Sequence, residues 1–189
     1  LFSSGKDSSY AAYIMKEQNY DLKCLVTVKS ENKDSYLFHT PNIDMVDLQS
    51  EVMEIPLVSV SSLGVKEDEL EDLKNALMKA KEEYGIEGVV SGALFSTYQR
   101  DRIEKIADEL GLKVFAPLWH KDQETEMREL IRNGFKFVLS SVACEGLDKS
   151  WVGRELTLED VDKLVKLKVV NVAGEGGEFE SLVLDCPLF

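Results

Sequence analysis

The sequence has few of the groups that build metal centres, cross-linked scaffolds or membrane spans. Its 189 residues include only 3 cysteines, which are far apart and form no Cys-x-x-Cys pair, and only 2 histidines. This scarcity argues against a disulfide framework, a zinc ribbon, an iron–sulfur cluster and a histidine-based metal site. Scattered cysteines are typical of a reducing compartment, so we expect a cytoplasmic protein. No apolar run approaches the roughly 20 residues of a membrane-spanning helix, and no signal peptide is visible.

Positive charge is also scarce. The 22 Lys and Arg residues face 35 Asp and Glu residues, which gives a formal net charge of −13. Nucleic acids and anionic membranes attract positive fields, so neither is an expected partner. A local basic pocket or a small cationic substrate stays compatible with this balance. Apolar residues make up 44 % of the chain, enough to form a core and to argue against disorder.

Short apolar strands alternate with amphipathic helices through the first part of the chain, which predicts a parallel sheet covered by helices on both faces. The predicted strands are 22–28, 57–60, 88–91 and 113–115, and the predicted helices are 8–18, 42–53, 67–84 and 102–110. After Pro117 the pattern changes, with helices predicted at 122–133 and from 157 onward, and strands at 135–142, 169–173 and 179–184. The chain opens on Leu1 and Phe2, which read as the end of a strand, so we expect that residues ahead of them are missing.

The segment Ser-Ser-Gly-Lys-Asp-Ser at 3–8 combines groups that bind phosphate. Backbone N–H groups at a helix N-terminus attract anions, and Gly5 lets a ligand approach the backbone closely. Lys6 supplies a positive charge, and Asp7 can cap the helix or help to hold Mg²⁺. The Walker A pattern is not met, because Asp7 follows Gly5-Lys6 and no glycine stands at the required upstream position. Spacing alone leaves a plain serine-rich helix cap as the alternative.

Two further segments carry unusual groups. Residues 174–181 read Gly-Glu-Gly-Gly-Glu-Phe-Glu-Ser, three glycines and three carboxylates, but Phe179 breaks the dinucleotide fingerprint G-x-G-x-x-G. A glycine hairpin with solvated acids is the alternative there. Ser91-Gly-Ala93 follows a predicted strand and precedes the segment 98–102, so it falls at the strand ends where open α/β sheets bind ligands. The arginines of 98–102 read equally as phosphate ligands or as solvated side chains.

The segment at 3–8 resembles the PP-loop of the N-type ATP pyrophosphatases, which split ATP between its α- and β-phosphates. The usual motif has glycine where this chain has Ser4. Three more segments extend the resemblance along nearly the whole chain: Asp34–Asn42, Ala116–His120 and Glu145–Gly153. Together with 174–181, they are similar to the archaeal diphthine–ammonia ligase family.

The resemblance implies a Rossmann-like fold of the adenine nucleotide alpha hydrolase type, in which helices sandwich a parallel sheet. It implies a PP-loop ATP-binding domain at 1–116 and a smaller C-terminal α/β substrate-binding region at 117–189. The implied reaction is ATP-dependent amidation of diphthine on translation elongation factor 2. Ammonium is the nitrogen donor, an acyl-adenylate is the intermediate, and AMP and pyrophosphate are released.

The resemblance also implies roles for individual residues. Nucleotide binding is assigned to Ser3, Ser4, Gly5, Lys6, Asp7, Ser8, Val28 and Gly92, with Asp7 as the Mg²⁺ ligand. Catalysis is assigned to Lys6, Asp7, Glu178 and Glu180, and substrate binding to Tyr98, Arg102, Glu175, Gly176, Gly177 and Phe179. Diphthine carries a trimethylammonium group, which aromatic faces and carboxylates hold, so Trp119 and Trp151 are further candidates beside a packing role. His39 and His120 are interpreted as structural.

Two other functions compete with the ligase. A tRNA-modifying PP-loop enzyme would share the phosphate loop, although the charge of −13 and the lack of paired cysteines weigh against it. A non-catalytic adenine-nucleotide-binding protein would also share it, but would leave the acid-rich segment at 174–181 without a use. A homo-oligomer is compatible with each of them.

Overall fold

The computed structural model describes residues 1–32, 42–65 and 68–189, in which short strands alternate with helices. Its elements are α1 (Lys6–Glu17), β1 (Leu25–Ser30), α2 (Met45–Met53), β2 (Leu57–Ser62), α3 (Asp68–Tyr84), β3 (Gly88–Val90), α4 (Thr97–Glu109), β4 (Lys113–Phe115), α5 (Gln123–Arg132), β5 (Lys136–Val142), α6 (Leu158–Leu167) and β6 (Phe179–Asp185). His39, the start of the 67–84 helix and most of the segment 34–42 lie outside the described residues.

The first two residues join two parallel strand pairs. Strand β1 pairs with β2 in the register Leu25 to Leu57, and β3 pairs with β4. The Phe2 N–H donates to the Val26 carbonyl at 2.9 Å, and the amino group of Leu1 donates to the Val90 carbonyl at 2.6 Å. Residues 1–2 therefore lie between β1 and β3, which gives the order β2, β1, 1–2, β3, β4.

Helices cover both faces of these strands. Val26, Val28 and Val58 pack against α3 and α4 in one core, whereas Leu25 points into a second core with α1 and α2. Successive strand residues face opposite sides, so apolar runs without polar alternation are what this burial requires. The predicted α/β fold, with parallel strands between helices, is confirmed.

The C-terminal part adds an antiparallel pair. Strand β5 pairs with β6, with Phe137 opposite Val183 and Leu139 opposite Ser181. Side chains of β5, β6, α5 and α6 share one core with Phe2 and the α1 residue Tyr10. The two parts of the chain are thus packed against each other along α1. No helix in the described ranges is both long enough and apolar enough to cross a membrane.

Two predictions about elements are wrong. Residues 169–173 form no strand: they lie in bends and a turn, which the Gly174 N–H closes by donating to the Asn171 carbonyl at 2.8 Å. Helix α4 begins at Thr97 rather than at 102. Its earlier start follows from Ser96, whose Oγ accepts the Gln99 N–H and so caps the helix.

Candidate functional site

The phosphate loop lies where residues 1–2 leave the sheet and α1 begins. Gly5 is the N-cap of α1, and Lys6 is its first helical residue. The Ser8 hydroxyl accepts the Ser3 N–H at 3.2 Å, donates to the Gly5 carbonyl at 3.1 Å and lies 3.2 Å from the Ser3 hydroxyl. These bonds close the loop around the first turn of the helix. Gly92 follows β3 at the same edge, the carboxyl ends of the parallel strands, where such sheets bind ligands.

Ser4 occupies its position in a left-handed backbone conformation, with φ of +67°. The residue is fully buried. Its hydroxyl donates to the Asn42 carbonyl at 3.2 Å, and its carbonyl accepts the Val183 N–H at 3.1 Å. Glycine adopts a left-handed backbone without steric cost, which accounts for the glycine of the usual motif. In this chain the two hydrogen bonds of Ser4 help the serine to adopt that conformation.

Lys6 is held between two carboxyl groups. Its Nζ lies 2.5 Å from Asp7 Oδ1 and 4.0 Å from Glu126 Oε1, and the residue is 1 % exposed. Burial by itself would lower the pKa of Lys6, but the Asp7 and Glu126 carboxylates outweigh burial and raise it. The ammonium group therefore stays charged.

Glu126 is a site residue that the sequence interpretation missed. It lies on α5, is fully buried, and neither carboxyl oxygen accepts a hydrogen bond from a donor in the described part of the chain. Burial raises its pKa, and the nearby Asp7 and Glu175 carboxylates add to that rise, whereas the Lys6 ammonium lowers it. The available signal was its place on the buried face of α5, beside Met127 and Leu130. A charged residue on such a face needs a partner.

The acid-rich segment at 174–181 lies against the phosphate loop. The Ser181 hydroxyl accepts the Lys6 N–H at 3.1 Å, and a Cβ on Gly5 would lie 3.4 Å from the Ser181 carbonyl oxygen. The Glu175 carboxylate is close enough to add to the rise in the Lys6 pKa. Ser181 is thus a second residue of the loop's surroundings for which the sequence predicted no role.

Within this segment, the glycines form the turn and Phe179 belongs to the core. Gly174, Gly176 and Gly177 all have φ near +78°, and a Cβ on Gly174 would lie 2.6 Å from the Phe179 ring. Phe179 is 4 % exposed. The segment needs glycines for its backbone conformation, and its aromatic ring packs inside the protein rather than at an open surface.

The two glutamates assigned to catalysis have different environments. Both oxygens of Glu178 accept hydrogen bonds from Asn171, one from its N–H at 2.5 Å and one from Nδ2 at 2.9 Å. Glu178 therefore holds the 171–178 turn closed in this structure. Glu180 lies on β6 opposite Ser141 of β5 and is partly buried.

The remaining predicted binding residues lie near the strand ends of β1 and β3 or on α4. The Val28 side chain is buried in the core against α3 and α4. A Cβ on Gly92 would lie 2.8 Å from the Asp7 carbonyl carbon and from the Ser8 nitrogen, so Gly92 packs directly under the first turn of α1.

Three candidate aromatic rings for a cationic substrate, those of Tyr98, Trp119 and Trp151, already stack with an arginine of this chain. The Arg102 guanidinium carbon lies 3.4 Å from the centre of the Tyr98 ring. The corresponding distances are 4.7 Å for Arg100 over Trp119 and 4.9 Å for Arg154 over Trp151. One face of each ring is therefore occupied. His120 lies edge-on to Phe95 and Trp119, in line with its structural interpretation.

Comparison with known proteins extends along the whole chain. The diphthamide synthase N-terminal domain matches residues 1–114, and the diphthamide synthase C-terminal domain matches residues 122–189. The diphthine–ammonia ligase of Mus musculus is 36 % identical over 212 residues, which cover 100 % of this chain and 79 % of the mouse protein. The Homo sapiens protein of that name is 34 % identical with the same coverage. The one from Saccharomyces cerevisiae is 31 % identical, and the match covers 33 % of it.

A solved structure, described as a predicted subunit of tRNA methyltransferase from Methanocaldococcus jannaschii, aligns with 99 % of this chain and 95 % of its own. Its identity is 15 % and its TM-score 0.46, too low to support a conclusion. The family models, and the relatives whose matches cover this whole chain, do support a conclusion. With the phosphate loop and the acid-rich segment meeting at one place, they show that this chain belongs to the diphthamide synthase family.

Proposed function

We propose that this chain catalyses the ATP-dependent amidation of diphthine with ammonium, which gives diphthamide, AMP and pyrophosphate. The observation that carries the proposal is the contact between the phosphate loop and the acid-rich segment, where the Lys6 N–H donates to the Ser181 hydroxyl at 3.1 Å. This contact supports a single site for the ATP phosphates and the substrate, because it joins the phosphate loop to the acid-rich segment. The relatives named diphthine–ammonia ligase, whose matches cover 100 % of this chain, support the same reaction.

The chemistry follows from the poor reactivity of a carboxylate. Its oxygen attacks the α-phosphorus of ATP, the bond from that phosphorus to the bridging oxygen breaks, and pyrophosphate leaves. The product is an acyl-adenylate, whose carbonyl carbon ammonia then attacks. The bond from that carbon to the AMP oxygen breaks, and the nitrogen loses a proton. Such a reaction needs reactants held in place and phosphate charge stabilised throughout.

The phosphate loop supplies that stabilisation. We propose that Ser3, Ser4, Gly5 and Ser8, with Lys6, bind the β- and γ-phosphates, and that Gly92 and the Val28 backbone lie beside the adenosine. Asp7, whose side chain is 35 % exposed in the first turn of α1, would hold a Mg²⁺ ion. Mg²⁺ in such enzymes takes one or two carboxylates together with phosphate oxygens. When bound, it would neutralise phosphate charge.

The C-terminal region, residues 117–189, would bind the modified protein. We propose that translation elongation factor 2 carries the diphthine and that Glu175, with Gly176 and Gly177, lies beside its cationic group. Tyr98, Arg102 and Phe179 complete this proposed region, Phe179 from beneath the turn. Glu180 would act toward ammonium, and Glu178 would keep the turn in shape for both. The N-terminal region, residues 1–116, would bind ATP, and the reaction would take place in the cytoplasm.

The test measures AMP and pyrophosphate release with and without ammonium and diphthine-bearing elongation factor 2. We expect release over many turnovers only when both are present, and a loss of at least about 100-fold in Lys6→Ala, because a phosphate-binding charge disappears. Lys16→Ala, which removes an exposed lysine from the last turn of the same helix, is the control. Unchanged turnover in Lys6→Ala would show that the site assignment is wrong, and ATP binding without any release would favour the nucleotide-binding alternative.

A further inference from the structure

Glu126 is a buried carboxyl group to which the proposed reaction gives no role. It belongs to α5, in the C-terminal part of the chain, yet it reaches the phosphate loop, where Oε1 lies 4.0 Å from Lys6 Nζ. The residue has no exposed surface, and neither oxygen accepts a hydrogen bond from a described donor. Burying a carboxyl without hydrogen bonds is costly, so its retention on an otherwise apolar helix face calls for a purpose.

The surroundings make Glu126 a rigid group. Its neighbours Met127 and Leu130 are fully buried in the core. One turn further along both helices, the Tyr10 hydroxyl of α1 donates to Glu129 Oε2 of α5 at 2.7 Å. Lys6 and Tyr10 are four residues apart on α1, and their partners Glu126 and Glu129 are three residues apart on α5. Side chains at these spacings lie on the same face of a helix. This double contact fixes α5 alongside the phosphate loop.

Asp7, the other carboxylate beside Lys6, differs from Glu126 in its position in the chain and in its exposure. It directly follows Lys6 in the chain, and its side chain is 35 % exposed, whereas that of Glu126 is 0 % exposed. Asp7 belongs to the same helix as Lys6 and is assigned to Mg²⁺ in the proposed function. Glu126 belongs to a different, well-packed helix. Of these two carboxyl groups, Glu126 is the one that connects the Lys6 ammonium to another element.

We propose that Glu126 is a positioning residue, which holds the Lys6 ammonium in the phosphate loop so that it meets the β- and γ-phosphates of ATP. The proposal rests on the proposed function in that ATP is the ligand of the loop. It makes the C-terminal region part of the nucleotide site. Glu126 acts through Lys6 and does not touch the nucleotide.

The experiment measures the binding of MgATP and of AMP to the full chain by calorimetry. AMP lacks the two phosphates that Lys6 is proposed to meet. We expect Glu126→Gln, which keeps the shape and removes the acidic group beside Lys6, to weaken MgATP binding about tenfold, within the range of couplings between neighbouring residues. AMP binding should change less than about twofold. Glu124→Gln, on the same helix, removes a carboxylate that pairs with Arg128. It is the matched control and should leave both affinities within about twofold.

A double-mutant cycle separates positioning from general structural damage. In a Lys6→Gln background, Glu126→Gln should weaken MgATP binding no further, because the group through which it acts is gone. The proposal is overturned by unchanged MgATP affinity in Glu126→Gln, by equal losses for MgATP and AMP, or by additive losses in the double variant. If Glu126→Gln does not fold, Glu126→Asp is used, which keeps the charge at shorter reach, and the same comparison of MgATP with AMP decides. Wild-type binding of MgATP without amidation would overturn the proposed function and leave this test in force.

Discussion

At the scale of single residues, Ser4 shows what the chain does with a backbone position suited to glycine. Its left-handed φ of +67° costs about 1–2 kcal/mol for a residue with a Cβ. The bond from its hydroxyl to the Asn42 carbonyl at 3.2 Å returns about 1 kcal/mol. The two effects nearly cancel, so serine is tolerated in the loop.

This balance predicts different changes in stability for two small substitutions of Ser4. Ser4→Ala keeps the backbone cost and loses the hydrogen bond, so we expect it to lower the free energy of unfolding by about 1 kcal/mol. Ser4→Gly loses both effects together and should stay within about 0.5 kcal/mol of the wild type, partly because glycine increases the entropy of the unfolded chain. Urea unfolding of the three proteins measures the difference. A glycine variant less stable than the alanine variant would refute this account.

Gly92 gives a second prediction at this scale. A Cβ there would lie 2.8 Å from backbone atoms of Asp7 and Ser8, which cannot move aside as a flexible side chain can. We expect Gly92→Ala to displace the first turn of α1, to cost about 1–3 kcal/mol in stability and to raise the KM for ATP about tenfold or more. Steady-state pyrophosphate release against ATP concentration measures the second effect.

The control for Gly92 is Gly134, which has φ of +83° and no atom within 4 Å of an added Cβ. Gly134→Ala should cost about 1 kcal/mol through its backbone conformation and leave the KM for ATP unchanged. An unchanged KM in Gly92→Ala, or an equal rise in both variants, would show that Gly92 does not position the phosphate loop.

At the scale of elements, the start of α6 shows local signals that agree with the structure. The segment Thr-Leu-Glu-Asp at 157–160 has the spacing of an N-cap with its acidic partner. In the structure each side chain accepts the other's backbone N–H, at 3.4 Å for Thr157 and 3.1 Å for Asp160. Arg154 adds two hydrogen bonds to Asp160, which is 2 % exposed. The Arg154 hydrogen bonds, followed by those of Lys163 and Thr157, hold the pKa of Asp160 below its usual range, although burial opposes them.

The lowered pKa predicts how stability depends on pH. A carboxyl whose folded-state pKa is depressed contributes stability above its unfolded pKa of about 3.9, and that contribution declines as the pH falls toward its folded-state pKa. We expect Asp160→Asn to lower the free energy of unfolding by about 2 kcal/mol at pH 7, and by progressively less below about pH 4. Urea unfolding at pH 7, 4 and 3 measures this. The exposed neighbour Glu159 supplies the control Glu159→Gln, and a difference that persisted undiminished at pH 3 would contradict the assignment.

Features that depend on neighbouring residues could be predicted from the sequence, whereas contacts between distant residues could not. Helix caps and apolar strands depend on neighbours in the chain, so the pattern at 157–160 and the runs of β1 to β4 were predictable. The run at 169–173 resembles a strand just as well, but Asn171 donates its N–H and its side chain to Glu178, and these local bonds replace a ladder. Glu126 was missed because its partner Lys6 is 120 positions away, and spacing carries no information on such contacts.

At the scale of the whole molecule, the N-terminal and C-terminal parts of the chain share one of the two hydrophobic cores. Phe2 and Tyr10 of the first part share that core with Phe137, Leu164 and Val183 of the second. The phosphate loop is therefore contacted from the second part by Glu126 and Ser181. A nucleotide site built in this way depends on the packing of both parts, which explains why the resemblance of the sequence runs along the entire chain rather than through the loop alone.

The net charge of −13 leads to the last prediction, because the molecule as a whole repels the nucleotide that its loop attracts. Salt screens charges that lie farther apart than the Debye length, about 30 Å at 0.01 M and 8 Å at 0.15 M, and it screens buried pairs much less. Raising NaCl from 10 to 150 mM should therefore weaken the distant repulsion more than the attraction to Lys6. We expect the association rate of MgATP, measured by stopped-flow with a fluorescent ATP analogue, to rise about two- to fivefold over this range.

A fluorescent adenosine analogue without phosphates is the control, and its rate should not change with salt. A protein that bound tRNA would behave in the opposite way, since its affinity for a polyanion falls steeply as salt rises. A fall in the MgATP association rate with salt would mean that positive potential around the loop extends well beyond Lys6. That outcome would contradict our expectation that the potential of this negatively charged protein is positive only in the immediate surroundings of Lys6.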